Sequence, residues 1–341
     1  MKQFVRLAAS AALCAASGLA SAQLVSAGTF TGHVGVSVDG IGSNNTPVGD
    51  VQANIPVGAT ILQAYLYSAG VPFPFYADAP KTLADYNTSG ITLAGTSITN
   101  FDTLVGAIST PRPDIGRWFT GRADVTSLVQ SLTAGAVTSN FSWTVNEGTK
   151  NNRIDGEVLV VVYSDPSLPL GSVALINGGQ DTGGETTTVS LGTPLGDPTD
   201  PSFAARMGFA ISFSCCGQES QITVNGSPLA DHAGNNDDGL VVTDGSLITV
   251  GGVGDPTTNL ASYGNDRELY DLAPYLHLGD TSFQIHTVNP TADDNIFFAD
   301  LYLTGEITGV MPGVPEPETY ALMLAGLAAV GAIARRRRDR R

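Results

Sequence analysis

The sequence predicts an all-β protein with two β-sandwich, or jelly-roll, domains in tandem, preceded by a signal helix and followed by a short apolar helix. Between residues 23 and 312, apolar stretches with alternating polar residues recur about every ten residues, and Gly, Pro, Asn or Asp bounds each one. The 40 glycines, the abundant Thr and Ser and the scarcity of Lys also favour strands and turns over helices. A similar order of segments occurs in both halves of this region.

Two stretches of similar pattern mark a repeated unit: ITLAGTSI at 91–98 and ITVNGSPL at 222–229. Each is followed by an Asp-led turn, at Asp124 or Asp271, and then by two strands joined by an Asn-rich crossing. We interpret the halves as two copies of one plan, in which these Asp side chains cap a local turn. The predicted organisation is a signal peptide at 1–22, a first sandwich at 23–190, a linker at 191–201, a second sandwich at 202–312 and a tail at 313–341.

The repeated unit loosely resembles the galactose-binding-like jelly roll of many carbohydrate-binding modules. The likeness lies in the order of its parts: a strand with a glycine turn, a loop, the Asp-led turn and a pair of strands. It implies a fold and leaves the function to be argued from specific residues.

The N-terminus has the three parts of a secretory signal peptide. Lys2 and Arg6 form the charged start, an apolar stretch runs from 7 to 19, and Ala20 and Ala22 flank an A-x-A cleavage site. Cleavage by signal peptidase would make Gln23 the first residue of the exported protein.

The C-terminal tail contains an apolar run at 320–334, followed by a cluster of arginines. As a helix, these 15 residues would extend roughly 22 Å, against about 30 Å for the hydrocarbon core of a bilayer. The arginines directly behind the run indicate a membrane stop signal; they are Arg335, Arg336, Arg337, Arg338, Arg340 and Arg341. A nucleic-acid-binding arm is the alternative interpretation of such a cluster.

Val314, Pro315, Glu316 and Pro317, the short apolar run and the arginine cluster together resemble the PEP-CTERM sorting tail. The resemblance covers only the last 28 residues or so. It implies processing by an exosortase near Pro315, Glu316 and Pro317, transient contact with the inner membrane, and delivery to the cell surface or extracellular matrix. A single-pass anchor that remains attached is the alternative.

Without its two ends the chain is strongly acidic. Two of the 16 Lys and Arg lie in the signal peptide and six in the tail, and three of the 32 Asp and Glu lie in the tail, so the 8 remaining cations and 29 remaining anions give residues 23–314 a charge of −21. Such a body repels nucleic acid. Its only cysteines are the adjacent Cys215 and Cys216, which could form a vicinal disulfide or act as two small apolar residues.

One loop has the composition of a calcium site. In DHAGNNDDG, the side chains of Asp231, Asn235, Asp237 and Asp238 offer the oxygen ligands that Ca²⁺ prefers, although the spacing is not that of an EF-hand. Asn, Asp and Gly are also simply good loop formers. A weaker candidate for the same ion is the cluster around Asp294.

An aromatic loop at 71–80 carries Phe73, Phe75 and Tyr76 between prolines. These rings could form an exposed ledge for sugar rings, or fold back to close the end of a sandwich. No G-x-S-x-G, H-E-x-x-H or phosphate-binding motif is present, and the four histidines are scattered. We therefore expect a non-enzymatic exported protein with a structural, adhesive or glycan-binding role. The alternatives are a carboxylate-dependent hydrolase of extracellular polymers and a calcium-stabilised binding module.

Overall fold

A computed structural model describes residues 23–42, 47–70, 82–105, 119–181, 183–213, 220–233, 248–254, 268–291 and 294–312, together with 326, 327 and 330 in the tail. The predicted signal helix and most of the predicted tail helix lie outside these residues. The described chain is mostly β, with antiparallel sheets that form two sandwiches, as the sequence predicts.

The first sandwich consists of two sheets and short helical segments. Its strands are β2 (Val34–Gly42), β3 (Val48–Asn54), β4 (Thr60–Gly70), β5 (Thr92–Leu93), β6 (Thr96–Ser97), β7 (Phe101–Val105), β8 (Phe119–Asp124), β9 (Asn140–Asn146) and β10 (Gly156–Ser164). The order β2-β10-β4-β8-β7 forms what we call the first inner sheet, and β3-β9-β5-β6 the first outer sheet. The helices are α1 (Leu83–Thr88), α2 (Thr126–Thr133) and a 3-10 helix (Gly148–Arg153).

The second sandwich also has an inner and an outer sheet. Its strands are β1 (Val25–Gly32), β11 (Gly171–Asn177), β12 (Glu185–Leu191), β13 (Ala205–Ser212), β14 (Ser220–Val224), β15 (Ser227–Ala233), β16 (Ile248–Val250), β17 (Leu269–Asp271), β18 (Ser282–Val288), β19 (Asn295–Leu303) and β20 (Ile307–Pro312). The second inner sheet has the order β1-β11-β19-β13-β16, with β17 also paired to β13. The second outer sheet has the order β15-β14-β18-β12-β20, and a 3-10 helix (Ala273–Tyr275) follows β17.

Three apolar clusters fill the spaces between the four sheets. One lies inside each sandwich, and the third joins the two inner sheets, with the valines of β10 packed against residues of β11, β16 and β19. Both faces of β10 and β19 are therefore covered, which explains why these strands are apolar almost throughout. The outer strands β9 and β18 alternate buried and exposed residues, because one of their faces meets solvent.

The pairing of strands confirms the internal repeat. The inner order β2-β10-β4-β8 matches β11-β19-β13-β17, and the outer order β3-β9-β5-β6 matches β12-β18-β14-β15. The Asp-led turns also correspond, since Asp124 Oδ1 accepts the Thr126 N–H at 2.9 Å and Asp271 Oδ1 accepts the Ala273 N–H at 3.0 Å. Both carboxylates cap a local turn, as the sequence predicts.

The strand pairing moves the predicted boundary between the sandwiches. β11 and β12, which the sequence assigns to the first sandwich, pair with β19 and with β18 and β20 of the second, and β1 pairs with β11. The segment 191–201 is a loop of the second sandwich, because Leu195 is buried in its core and its N–H donates to the Asp280 carbonyl at 2.8 Å. Proline-rich composition indicates a loop, but it cannot show which sheets the loop joins. The sheets divide at 165–170, between β10 and β11.

The β5–β6 and β14–β15 turns differ at one residue in a way that can be tested. Ala94 and Asn225 are equivalent and both have a φ of 50°, each followed by a glycine of positive φ, as in a two-residue hairpin turn. Left-handed backbone costs Ala about 1–2 kcal/mol, whereas Asn tolerates it. We expect Ala94→Asn to raise the free energy of unfolding by about 0.5–1 kcal/mol, measured by urea denaturation.

The matched control is the reverse change, Asn225→Ala. It should destabilise by more, because Asn225 also donates to the Tyr275 carbonyl and accepts the Gln284 N–H, both at 3.0 Å. Unchanged stability in Ala94→Asn would contradict backbone strain at this turn.

Candidate functional site

A cavity of about 300 Å³ opens where the two inner sheets meet. The first inner sheet contributes Tyr163 and the second contributes Arg206, Asp300 and Tyr302, while the glycine-rich segment 251–254 forms another side. The position of Asp300 follows from strand alternation in the second part of β19. From residue 298 to residue 303 the even-numbered residues face the first inner sheet and the odd-numbered ones the second outer sheet, after a register shift between Ile296 and Phe298. The cavity is thus a polar interruption of the apolar contact between the inner sheets.

Two glycines make room for the polar side chains of this cavity. A Cβ atom at Gly208 would collide with the Asp300 carboxylate, and one at Gly35 would lie 2.8 Å from the Tyr163 ring. The segment 251–254 is held by Asp39, whose Oδ1 accepts the Val253 N–H at 3.1 Å. The walls therefore belong to packed strands and a tethered segment, which favours a preformed site.

The electrostatics of the cavity centre on Asp300 and Arg206. Burial raises the pKa of Asp300 to about 7, and the positive charge of Arg206 acts against this rise. The Arg206 guanidinium carbon lies 5.4 Å from the centre of the Tyr302 ring, within the range of a cation–π contact. Burial also raises the pKa of Tyr163, while Arg206 lowers it. The tyrosine rings, the guanidinium and the carboxyl together suit a ligand with both a ring face and hydrogen-bonding groups.

Most of the predicted site residues lie outside the described residues. This holds for the sorting residues Pro315, Glu316 and Pro317, for Ala20 and Ala22, for Arg335 to Arg338, for Cys215 and Cys216, for Phe73, Phe75 and Tyr76, and for Asn235, Asp237 and Asp238. Gln23, the predicted first residue after cleavage, is described and is half-buried. The next residue, Leu24, is buried, and its N–H donates to Glu185 Oε2 at 2.9 Å, so the folded body begins directly behind the predicted cleavage site.

Of the calcium candidates, Asp231 is exposed on β15, and the part of the chain that is described holds no group of three His, Cys, Asp or Glu side chains placed to bind a metal. The other candidate, Asp294, is buried and accepts the Ser220 Oγ–H at 2.8 Å, which ties β14 to the crossing before β19. Calcium binding by the 231–238 loop stays a prediction, which thermal unfolding in calcium and in chelator would test.

Arg206 and Asp300 are not among the site residues that the sequence predicts. The feature of the sequence that could have identified them is a charged residue within an otherwise apolar strand. Arg206 lies in ARMGFAIS and Asp300 in NIFFADLYL. Such a charge needs compensation once both faces of the strand are covered, but the covering of the second face depends on how the sandwiches stack.

Among the comparisons with known proteins, the family match lies in the C-terminal tail. Residues 313–338 match the family model of the PEP-CTERM protein-sorting motif. The chain carries the PEP-CTERM sorting motif. The motif implies exosortase processing during export and a place at the cell surface, as the sequence predicts. Across the residues that the structure describes, no helix is both long and apolar enough to cross a membrane.

The comparisons assign no role to the body of this PEP-CTERM protein. No curated protein has a significant match to the chain. The major capsid protein P2 of bacteriophage PM2 aligns with 12% identity over 85% of this chain and 98% of that chain, with a TM-score of 0.20. A chain of Sulfolobus turreted icosahedral virus aligns with 11% identity over 90% of this chain and 96% of that one, also with a TM-score of 0.20. Similarity this low carries no argument about fold or function.

A second polar group lies inside the first sandwich of the PEP-CTERM protein. Glu147, Asp155 and Glu157 are all buried, and Ser68 Oγ donates to Glu157 Oε1 at 3.1 Å. Burial raises the pKa of Glu157 to about 8, against the opposing effect of hydrogen bonding to Ser68 and Glu147. Burial also holds the pKa of Asp155 well above its usual range.

The equivalent place in the second sandwich is apolar. The register pair of Glu157 with Ser68 on β10 and β4 corresponds to Ala299 with Phe209 on β19 and β13. The fold therefore does not require carboxyl groups at this point, and Glu157 destabilises the first sandwich whenever it is ionised.

The raised pKa of Glu157 predicts that the free energy of unfolding falls as the pH rises. The folded protein keeps the proton of Glu157 up to about pH 8, whereas the unfolded chain loses it near the usual value of 4.5. Between these limits the folded state binds more protons, so the free energy of unfolding should fall by up to about 1.4 kcal/mol per pH unit. Glu157→Gln should remove this contribution, as measured by urea unfolding from pH 4.5 to 8.5.

Glu306→Gln serves as the control, because Glu306 is an exposed carboxylate of the second sandwich. Its pH profile should match that of the unmodified protein. If Glu157→Gln and Glu306→Gln gave the same profile, a protonated Glu157 in the folded protein would be ruled out.

Proposed function

We propose that this exported surface protein binds saccharide units of extracellular polymers through the cavity between its inner sheets, without catalysing a reaction. The observation that carries the proposal is the convergence of Tyr163, Tyr302, Arg206 and Asp300 on one cavity. Tyrosine rings stack on the apolar faces of sugar rings, while a guanidinium and a carboxyl group bind hydroxyl groups. The sorting motif supports this function, because it directs the protein to the surface where such polymers occur.

The carboxyl groups of the cavity favour binding over hydrolysis. Glycosidases of the common type need two carboxyl groups about 5–10 Å apart on either side of the scissile bond. Among the described lining residues, Asp300 is the only carboxylate. Glu147, Asp155 and Glu157 are buried inside the first sandwich, and the described residues leave no opening through which a polymer chain could reach their carboxyl groups. The hydrolase alternative therefore has no supporting geometry in this part of the chain.

The test is saccharide binding by the protein as its host exports it. We expect a glycan array of bacterial exopolysaccharide fragments to identify a ligand, and calorimetry to show weaker binding in Tyr163→Leu. The expected loss is roughly two- to tenfold, because an aromatic contact contributes about 0.5–1.5 kcal/mol. Leucine retains much of the apolar contact that this half-buried residue makes with the core.

Tyr65→Leu is the matched control. Tyr65 also lies on the first inner sheet beneath a guanidinium, with the Arg122 carbon 4.6 Å from its ring centre, but it does not line the cavity. Equal losses in both variants would contradict binding in this cavity, and product release from the bound glycan would contradict a purely binding role.

A further inference from the structure

The guanidinium of Arg206 has hydrogen-bonding capacity that the described protein does not use. Arg206 is exposed at the mouth of the cavity and rests on the Tyr302 ring. The described residues provide no hydrogen bond and no ion pair to it, although a guanidinium carries five N–H donors. The donors are therefore available to a ligand, and the ring contact limits the positions that they can take.

Asp300 does not cancel the charge of Arg206. The two residues occupy neighbouring strands, β19 and β13, and attract each other without a direct ion pair. Burial raises the pKa of Asp300 to about 7, so its carboxyl group is protonated more readily than that of an exposed aspartate. The remaining titratable side chains of the described lining are the phenols of Tyr163 and Tyr302. Arg206 is therefore the only permanently charged side chain of the described lining, within a body that carries a charge of −21 over residues 23–314.

The shape of the cavity limits which anion fits. A volume of about 300 Å³ is near the lower end of small-molecule sites, which span about 300–1,000 Å³. Its walls combine the two tyrosines with the aliphatic side chains of Val36, Val38 and Leu269. A small inorganic anion would leave these walls unused, whereas one sugar ring bearing a carboxylate would contact both the rings and the guanidinium.

We propose that the cavity selects an acidic sugar unit, a uronic acid, whose carboxylate is bound by Arg206 while its ring lies between the tyrosine walls. A planar carboxylate matches the fork of a guanidinium and can accept two parallel hydrogen bonds. Asp300 and Ser37, also on the cavity wall, provide polar contacts for the sugar hydroxyls. This inference rests on the proposed saccharide binding and specifies the class of sugar.

The experiment compares uronic-acid oligosaccharides with their carboxyl-reduced forms, in which a CH₂OH group replaces the carboxylate and the rest of the molecule is unchanged. The probes are oligomers of galacturonate, glucuronate and mannuronate, titrated calorimetrically into the exported protein. We expect at least one acidic oligomer to bind about tenfold or more tighter than its reduced form, as a charge-assisted hydrogen-bond pair predicts.

Arg206→Gln should abolish this preference, and Arg206→Lys, which keeps the charge but not the fork, should retain part of it. Arg122→Gln is the matched control, because Arg122 also lies over a tyrosine ring but outside the cavity, and it should bind like the unmodified protein. The urea midpoint of each variant, compared with that of the unmodified protein, verifies that it is folded.

The outcomes separate the two proposals. If acidic and reduced oligomers bind equally and Arg206→Gln changes neither, saccharide binding stands and selection of acidic sugars is overturned. If no saccharide binds, both proposals fail. If acetate binds as tightly as the acidic oligomer, the cavity is a simple anion site and the assignment to a sugar is overturned.

Discussion

The apolar contact between the two inner sheets is the constraint on which the rest of the structure depends. Each sandwich could bury the facing sides of its own two sheets, but the valines of β10 and the aromatic residues of β19 would then remain exposed on the outer faces. Stacking the inner sheets covers these faces and makes β10 and β19 central in four layers. The hydrophobic free energy of this contact, at roughly 25 cal/mol per Å² of buried apolar surface, ties two similar units into one body.

The same contact determines where polar chemistry can occur. Side chains on the meeting faces must be apolar, or else polar with a compensating partner or access to solvent. Asp39 meets this requirement by accepting the N–H groups of Gln52, across the first sandwich, and of Val253, from the second. At the edge of the contact, Arg206 meets it by its exposure to solvent, and the buried Asp300 meets it by the nearby positive charge of Arg206. The cavity therefore lies at the border of the apolar interface, with one wall from each copy of the repeated unit.

The two copies share a backbone plan and differ in what they place inside it. Equivalent register positions hold a carboxyl group and a serine in the first sandwich, Glu157 and Ser68, and apolar residues in the second, Ala299 and Phe209. Outside the matched strands, the second copy has β1 and β16 in its inner sheet and β20 at the edge of its outer sheet, and the first copy has β7. The sorting motif follows β20 directly, so it is attached to the second copy.

The sequence alone determined the strand-rich character, the repeat, the Asp-led turns and the sorting motif, because each depends on residues close together in the chain. Alternation needs only neighbouring side chains, the Asp124 and Asp271 turns are closed by residues two positions away, and the sorting motif is read in a single segment. The tertiary structure alone decided which strands share a sheet, and so corrected the boundary at 191–201. It also decided that Arg206, Asp300 and Tyr163 meet in one cavity. These outcomes depend on contacts between residues far apart in sequence. The stacking of the two inner sheets makes their central strands apolar on both faces, and such a strand does not show which other sheet covers it.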